Sequence, residues 1–371
     1  MWTFHLPTKI HFGLNVAASL SELPEIRGRR VAIVSDSVVC NIPEIRRLIE
    51  KTAPAVLFDK VRPNPTTVNV DEFAQLLRES QAETVLAIGG GSSMDTAKAA
   101  ANLAVTTDAS IRAYHSEGKQ FSQKPIPVVA VPTTAGTGAE VTSIAVLDDE
   151  EKNFKSPMSS PFFYPVCAAV DPALTFSLPI YATAATALDA LSHAIEGYWS
   201  KQRQPICDAL AKEAARIIFA HLSEVYDNPK SAIGREALSY AALTAGIAFH
   251  LPKNAMIHAC SFPLSNRLHL SHGAACAFTM EEAIRFNAPA MNGRMEEFAK
   301  HCGFDEIETM IQTIASLKRR GGLPCTWREA GIDSSLAETL IRESFHPLMN
   351  NNPRPVTEND LRKIYAKFDE Q

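Results

Sequence analysis

The feature that most constrains this chain is a change of pattern at Leu178-Pro179. Before it, short β-branched runs alternate with helical stretches. Val31-Ala-Ile-Val-Ser35, Ala55-Val-Leu-Phe58, Thr84-Val-Leu-Ala-Ile88 and Pro127-Val-Val-Ala-Val131 read as buried strands, being brief apolar runs bounded by turn residues. Helices are expected from Pro43 to Lys51, from Asn69 or Asp71 to Arg78, and from Met94 to Leu103. Val141 to Leu147 and Pro165 to Val170 read as further strands. Strand and helix in alternation imply crossover connections, hence a parallel sheet with helices on both faces. After Pro179 the strand signal stops. Thr186 to Trp199, closed by Gly197, then Ile206 to Tyr226, Ala232 to Phe249, Ala274 to Arg285, Ile307 to Arg319 and Thr357 to Phe368 read as helices. The expected organisation is an α/β domain with a Rossmann-like parallel sheet over residues 1–178 and an all-α domain over residues 179–371. A chain of 371 residues exceeds what most single cores organise.

Composition removes several classes of function. A net charge of −5 gives no basic surface for nucleic acid or an anionic membrane. The largest basic run, Lys318-Arg-Arg320, fits a solvated helix end. No stretch reaches the apolar length of a membrane span, and no basic flank precedes an apolar run at the N-terminus, so no signal peptide is expected. The seven cysteines lack CxxC pairing, which points to reduced thiols and a cytoplasmic setting.

Two loops suit a phosphorylated ligand. Gly89-Gly-Gly-Ser-Ser93 runs from a strand into a helix, where free backbone N–H groups and the positive dipole end can meet a phosphate. The same loop is equally a tight strand-to-helix turn, and it lacks the Gly-x-Gly-x-x-Gly fingerprint. Pro132-Thr-Thr-Ala-Gly-Thr-Gly138 lies at another strand end, where open α/β sheets bind ligands. Asp36 follows the first strand and is placed either to accept from an adenosine ribose, favouring NAD over NADP, or to cap a turn.

The helical half carries a metal-type pattern. Asp189 and His193 are four residues apart and share a helical face. His258 and His272 add two imidazoles from a segment made irregular by Pro263. One carboxylate and several imidazoles suit Zn2+ or Fe2+, and an open position would allow Lewis-acid catalysis.

Taken together these residues resemble the iron-containing (group III) alcohol dehydrogenases over nearly the whole chain. The similarity covers Pro63-Asn-Pro65, Gly89-Gly-Gly-Ser92 with Asp95 and Lys98, Pro132 to Thr137, Glu140-Val-Thr142, Asp189 to Gly197, the paired histidines and Asn352-Pro-Arg354. The resemblance implies the dehydroquinate synthase-like fold of that family: a nucleotide-binding α/β domain, a metal-binding helical domain and a cleft between them. It implies Asp189, His193, His258 and His272 as ligands of one divalent metal, Fe2+ or Zn2+. It implies NAD(H) contacts from Asp36, Asn64, Gly90, Gly91, Ser92, Asp95, Thr133, Thr134, Thr137 and Lys155. Members are commonly dimers, so a homodimer is expected.

Many members carry a further histidine four residues after the third ligand; Phe262 stands there, as a pocket wall. Asn153 to Phe162 and Phe262-Pro-Leu264 are similar to a subset that reduces two-carbon aldehydes bearing a phosphonate or sulfonate. Ser265, Asn266 and Arg267 are candidate anion donors, with Arg267 equally able to face solvent. His269 is a candidate proton carrier or simply a loop histidine. The resulting expectation is an NAD(H)- and metal-dependent reductase of a small aldehyde such as sulfoacetaldehyde or phosphonoacetaldehyde. The alternatives are a reductase of neutral aldehydes and a dehydroquinate synthase-like lyase with no net NADH change. A metal-stapled binding module is a third reading.

Overall fold

The structure is a computed structural model that describes residues 2–152 and 154–369. The chain divides into two compact units, His5–Thr134 with Gly138–Ser177, and Leu178–Gln371 with Met1–Phe4 and Ala135–Thr137. The two short excursions have local causes. Gly136 lies against Thr186, where a Cβ would come within 2.7 Å of that side chain, and Phe4 packs edge-on against His250 at 6.0 Å.

The α/β unit contains strands β1 (Lys9–Phe12), β2 (Val31–Val34), β3 (Val56–Phe58), β4 (Thr84–Gly89), β5 (Val128–Pro132), β6 (Ile144–Asp149), β7 (Phe154–Ser159) and β8 (Cys167–Val170). Six form a parallel sheet in the order β1-β8-β5-β4-β2-β3. Its central strands are nearly continuous apolar runs because helices cover both faces. Alternate residues serve opposite faces: Ala32, Val85, Ala87 and Ala130 pack with the helices Thr67–Glu79 and Gly91–Leu103, through Phe73 and Ala97. Ile33, Leu86, Ile88 and Val129 pack with Ile45 and Leu48 of the helix Pro43–Thr52.

Several expected boundaries move. The second helix begins at Thr67, not at Asn69 or Asp71, because the Thr66 hydroxyl accepts from Asn69 N–H and caps it. Residues Ala139–Val141 form a 3-10 turn, so the following strand starts at Ile144. β1 and β7 were not expected: β1 is short and partly exposed, and Pro157 disguises β7. Proline is tolerated there because, among the described residues, β7 pairs only with β6, in an antiparallel hairpin. Asn153, the first residue of the stretch Asn153 to Phe162, lies outside the described residues.

The helical unit is built on the helix Ile180–Trp199, sixteen residues of which, between Thr183 and Trp199, are buried. Pro205–Asp227, Ala232–Phe249, Met256–Leu268 and His272–Phe278 pack around it. Gly197 does not close this helix. It lies inside, where the backbone of Ala248 and Phe249 would stand 3.2 and 3.3 Å from a Cβ. Close packing thus overrides the helix-stop preference of glycine. The segment around Pro263 is helical rather than irregular. Glu196 helps begin that helix, accepting from Ala255 N–H at 3.0 Å and Ile257 N–H at 2.6 Å. The helix expected from Ala274 to Arg285 is two, broken at Thr279. Among the described residues no helix is long and apolar enough to cross a membrane.

Candidate metal centre and nucleotide loops

The four residues expected to ligate a metal come together. Asp189 and His193 stand one turn apart on the central helix and are 1% and 3% exposed. His258 comes from the first turn of Met256–Leu268, and His272 opens His272–Phe278. Gly273 permits the last of these approaches. A Cβ there would lie 2.0 Å from Ala185 O and 3.1 Å from Asp189 Cβ, so only glycine lets the His272 helix reach the central one. The Nε2 atoms converge on Asp189 Oδ1, from His193 at 4.0 Å, His258 at 3.8 Å and His272 at 3.6 Å. The Nε2 atoms of His193 and His258 are 3.0 Å apart.

This donor set fits a divalent cation. Asp189 Oδ1 is buried and has no hydrogen-bond partner, a costly state for a carboxylate oxygen. Burial pushes the Asp189 carboxyl up to about 6, with His258 opposing. Burial, then His258 and His272, hold His193 well below the ordinary imidazole range, so it is neutral, the ligating form. Its ring stacks on Phe249 at 3.9 Å, which fixes its plane.

Three contributors were missed by sequence reasoning. Glu196 lies seven residues after Asp189, on the same helical face. Its Oε2 accepts from His258 Nδ1–H at 2.7 Å, turning the Nε2 lone pair toward Asp189. Cys276 lies one turn after His272, with Sγ 3.8 Å from His272 Nε2. His346 packs edge-on against Phe262, ring centroids 4.9 Å apart. The first two were legible as helical spacing; the third joins residues far apart in sequence and gave no signal.

The expected catalytic residues fare unequally. Phe262 is 7% exposed and sits one turn beyond His258, consistent with a wall beside the cluster. Arg267 is corrected. It is exposed and paired with Glu343, its Nε donating to Oε2 at 3.0 Å. Nine residues beyond His258, it is displaced by roughly 14 Å along the helix. His269 is corrected too: it is an exposed C-cap residue with φ 54°.

In the α/β unit the two glycine loops start side by side, since Gly89 pairs with Pro132 and Thr133 N–H donates to Gly89 O at 2.9 Å. The helix Gly91–Leu103 begins at Gly90 with no side-chain cap, leaving the N–H groups of its first turn, including Gly91 and Ser92, for an anion. Thr134 lies beside Gly90. Asp36 stands beyond β2, but its Oδ1 is committed to Val38 and Val39 N–H. Lys155 Nζ donates to Asn64 Oδ1 at 2.9 Å, joining two expected cofactor residues. Asp95 is bound internally, accepting from Val146 N–H at 2.9 Å beside Lys98. Thr137 groups with the helical unit.

Iron-containing alcohol dehydrogenase matches residues 7–172, and the Fe-containing alcohol dehydrogenase family, C-terminal, matches residues 183–368. Among solved structures, sulfoacetaldehyde reductase from Bifidobacterium kashiwanohense, in complex with NAD+, superposes with a TM-score of 0.94 at 40% identity, covering 99% of this chain and 98% of that one. Alcohol dehydrogenase from Oenococcus oeni gives 0.92 at 27% identity, covering 99% and 100%. NAD-dependent methanol dehydrogenase of Bacillus methanolicus is 31% identical over 98% of this chain and 99% of its own. With both halves matched, the chain belongs to the iron-containing alcohol dehydrogenase family and is an oxidoreductase acting on CH–OH donors.

Proposed function

We propose that this protein is an NADH-linked, metal-dependent reductase of a two-carbon aldehyde carrying a sulfonate or phosphonate. The observation that carries the metal-dependent reading is the buried, unpartnered Asp189 Oδ1 ringed by three imidazole Nε2 atoms. The anionic substrate rests on the 40% identity to a sulfoacetaldehyde reductase and on Phe262 standing where a histidine is usual. The working form in this reading is a cytoplasmic homodimer.

Asp189, His193, His258 and His272 hold the metal. A divalent ion there supplies Lewis acidity toward the aldehyde oxygen, and NADH supplies the hydride. Glu196 keeps the His258 proton on Nδ1, so that Nε2 is free to ligate. The N–H groups opening Gly91–Leu103 hold the cofactor pyrophosphate, and Asn64 with Lys155 offers polar contacts to it. Phe262 excludes water from the wall beside His258. His346 Nδ1 accepts from Leu348 N–H at 3.3 Å, so its proton sits on Nε2. That places a proton-holding imidazole against Phe262, a role for which His269 is too exposed.

The test is NADH oxidation by metal-loaded protein with sulfoacetaldehyde, phosphonoacetaldehyde, acetaldehyde and lactaldehyde. An anionic aldehyde should give the highest kcat/KM, and Asp189→Ala should lose metal and turnover together. A preference for neutral aldehydes overturns the anionic assignment. Full turnover by protein verified metal-free overturns the metal reading.

A further inference from the structure

Cys276 is fully buried and points into the same group of donors. Among the described residues, one cluster of histidine, cysteine and acidic side chains has metal-site spacing. It consists of Asp189, His258, His272 and Cys276, whose ligand atoms all lie within 4.8 Å of one another. The Cys276 Sγ lies 3.8 Å from His272 Nε2. The other free cysteines, Cys40, Cys167, Cys207, Cys260, Cys302 and Cys325, belong to no such cluster. A buried cysteine ordinarily behaves as a small apolar side chain. This one stands beside a carboxylate oxygen that has no partner of its own.

We propose that Cys276 is a sulfur donor of the metal centre, giving the site a softer ligand set than aspartate and histidine alone. The proposal rests on the metal reading above. On coordination the S–H bond breaks, its proton passes to water, and the sulfur lone pair bonds the ion, with no change of oxidation state. Thiolate favours zinc and cobalt, so the sulfur raises the preference for these over iron. A second anionic donor beside Asp189 also neutralises a divalent charge within the buried site. The helix supplies the geometry: His272 and Cys276 are one turn apart, so both face the central helix once Gly273 has let the two helices meet.

The experiment is absorption spectroscopy of the cobalt-substituted full-length protein. Visible d–d bands report cobalt in a protein site; a near-ultraviolet sulfur-to-cobalt charge-transfer band reports a thiolate ligand. The expected result is one cobalt per chain with both signals. Cys276→Ser should retain d–d bands, lose the charge-transfer band and bind zinc about 10-fold or more weaker. Cys260→Ser, which alters a buried thiol outside the cluster, should keep the band. If wild type shows d–d bands without charge transfer, Cys276 is not a ligand and the Asp–His metal reading survives. If wild type and Asp189→Asn alike bind no cobalt, both readings fall. Should Cys276→Ser fold poorly, the wild-type spectrum still decides, because lack of the band there overturns the proposal.

Discussion

Two carboxylates in this molecule, one partly and one fully buried, meet opposite fates. In the α/β unit Asp95 lies one turn before Lys98, whose side chain is completely buried, with Nζ 3.7 Å from Asp95 Oδ1. Lys98 also donates to Ile144 O at 2.9 Å and Thr142 Oγ1 at 3.3 Å. Burial raises Asp95 to about 6 and also raises Glu140, while Lys98 pulls both down. In the helical unit Asp189 lies one turn before His193, and burial raises it to about 6 as well. Its neighbours, however, are imidazoles, and its Oδ1 is left without a partner. The contrast belongs to the site, since the helical unit also holds a self-neutralised pair: Lys318 Nζ donates to both Glu281 oxygens at 2.9 Å. A carboxylate paired with a lysine of the same chain is structural; one whose Oδ1 has no partner and faces three imidazole Nε2 atoms calls for a cation from outside.

The largest expected effect comes from removing the internal cation. Lys98→Met leaves Asp95 and Glu140 buried without compensation, which should cost about 3–5 kcal/mol. Urea unfolding measures it, and metal bound per folded chain should not change. Adding Asp95→Asn should recover part of the loss, because the two sites are coupled. A Lys98→Met protein of undiminished stability would break the comparison on its structural side.

A middle-sized effect tests the other centre. Glu196→Gln keeps an acceptor for His258 Nδ1–H but removes the charge that orients and polarises the ring. Metal affinity should drop roughly 10–100-fold, measured by competition with a chelator. An unchanged affinity would reduce Glu196 to a helix cap for Ala255 and Ile257.

The contrast also shows what could be read from sequence. Asp189-x-x-x-His193 was visible because helical spacing alone puts both on one face, and the apolar runs Val85–Ile88 and Val128–Val131 revealed the buried parallel sheet. Glycine loops were visible because backbone access needs little more than the loop itself. What escaped depends on packing between distant segments. Gly197 resembles a helix stop until the Ala248–Phe249 backbone is seen against it. Arg267 resembles an anion donor until the chain brings up Glu343. Cys276 was one cysteine among seven until Gly273 set its helix against Asp189. Propensity and spacing are local, whereas the identity of the partner is not.

The smallest effect separates the two carboxylates by pH. In metal-free protein, burial raises Asp189 to about 6, so the folded state binds that proton more tightly than the unfolded chain. This contribution is complete below the ordinary carboxylate range and is lost as pH rises through about 6. Asp95 follows the same sign with the same value. A divalent ion binds only the ionised form of Asp189 and leaves Asp95 untouched, so subtraction isolates the metal centre. The melting temperature of metal-free protein should fall as pH rises through this window. That of zinc-loaded protein should fall less, because Asp95 and Glu140 still contribute while Asp189 does not. The gap between the two curves therefore widens with pH, and Asp189→Asn should abolish it. A gap independent of pH would mean that Asp189 is not the buried charge the ion neutralises, and the two centres would then differ in geometry but not in electrostatics.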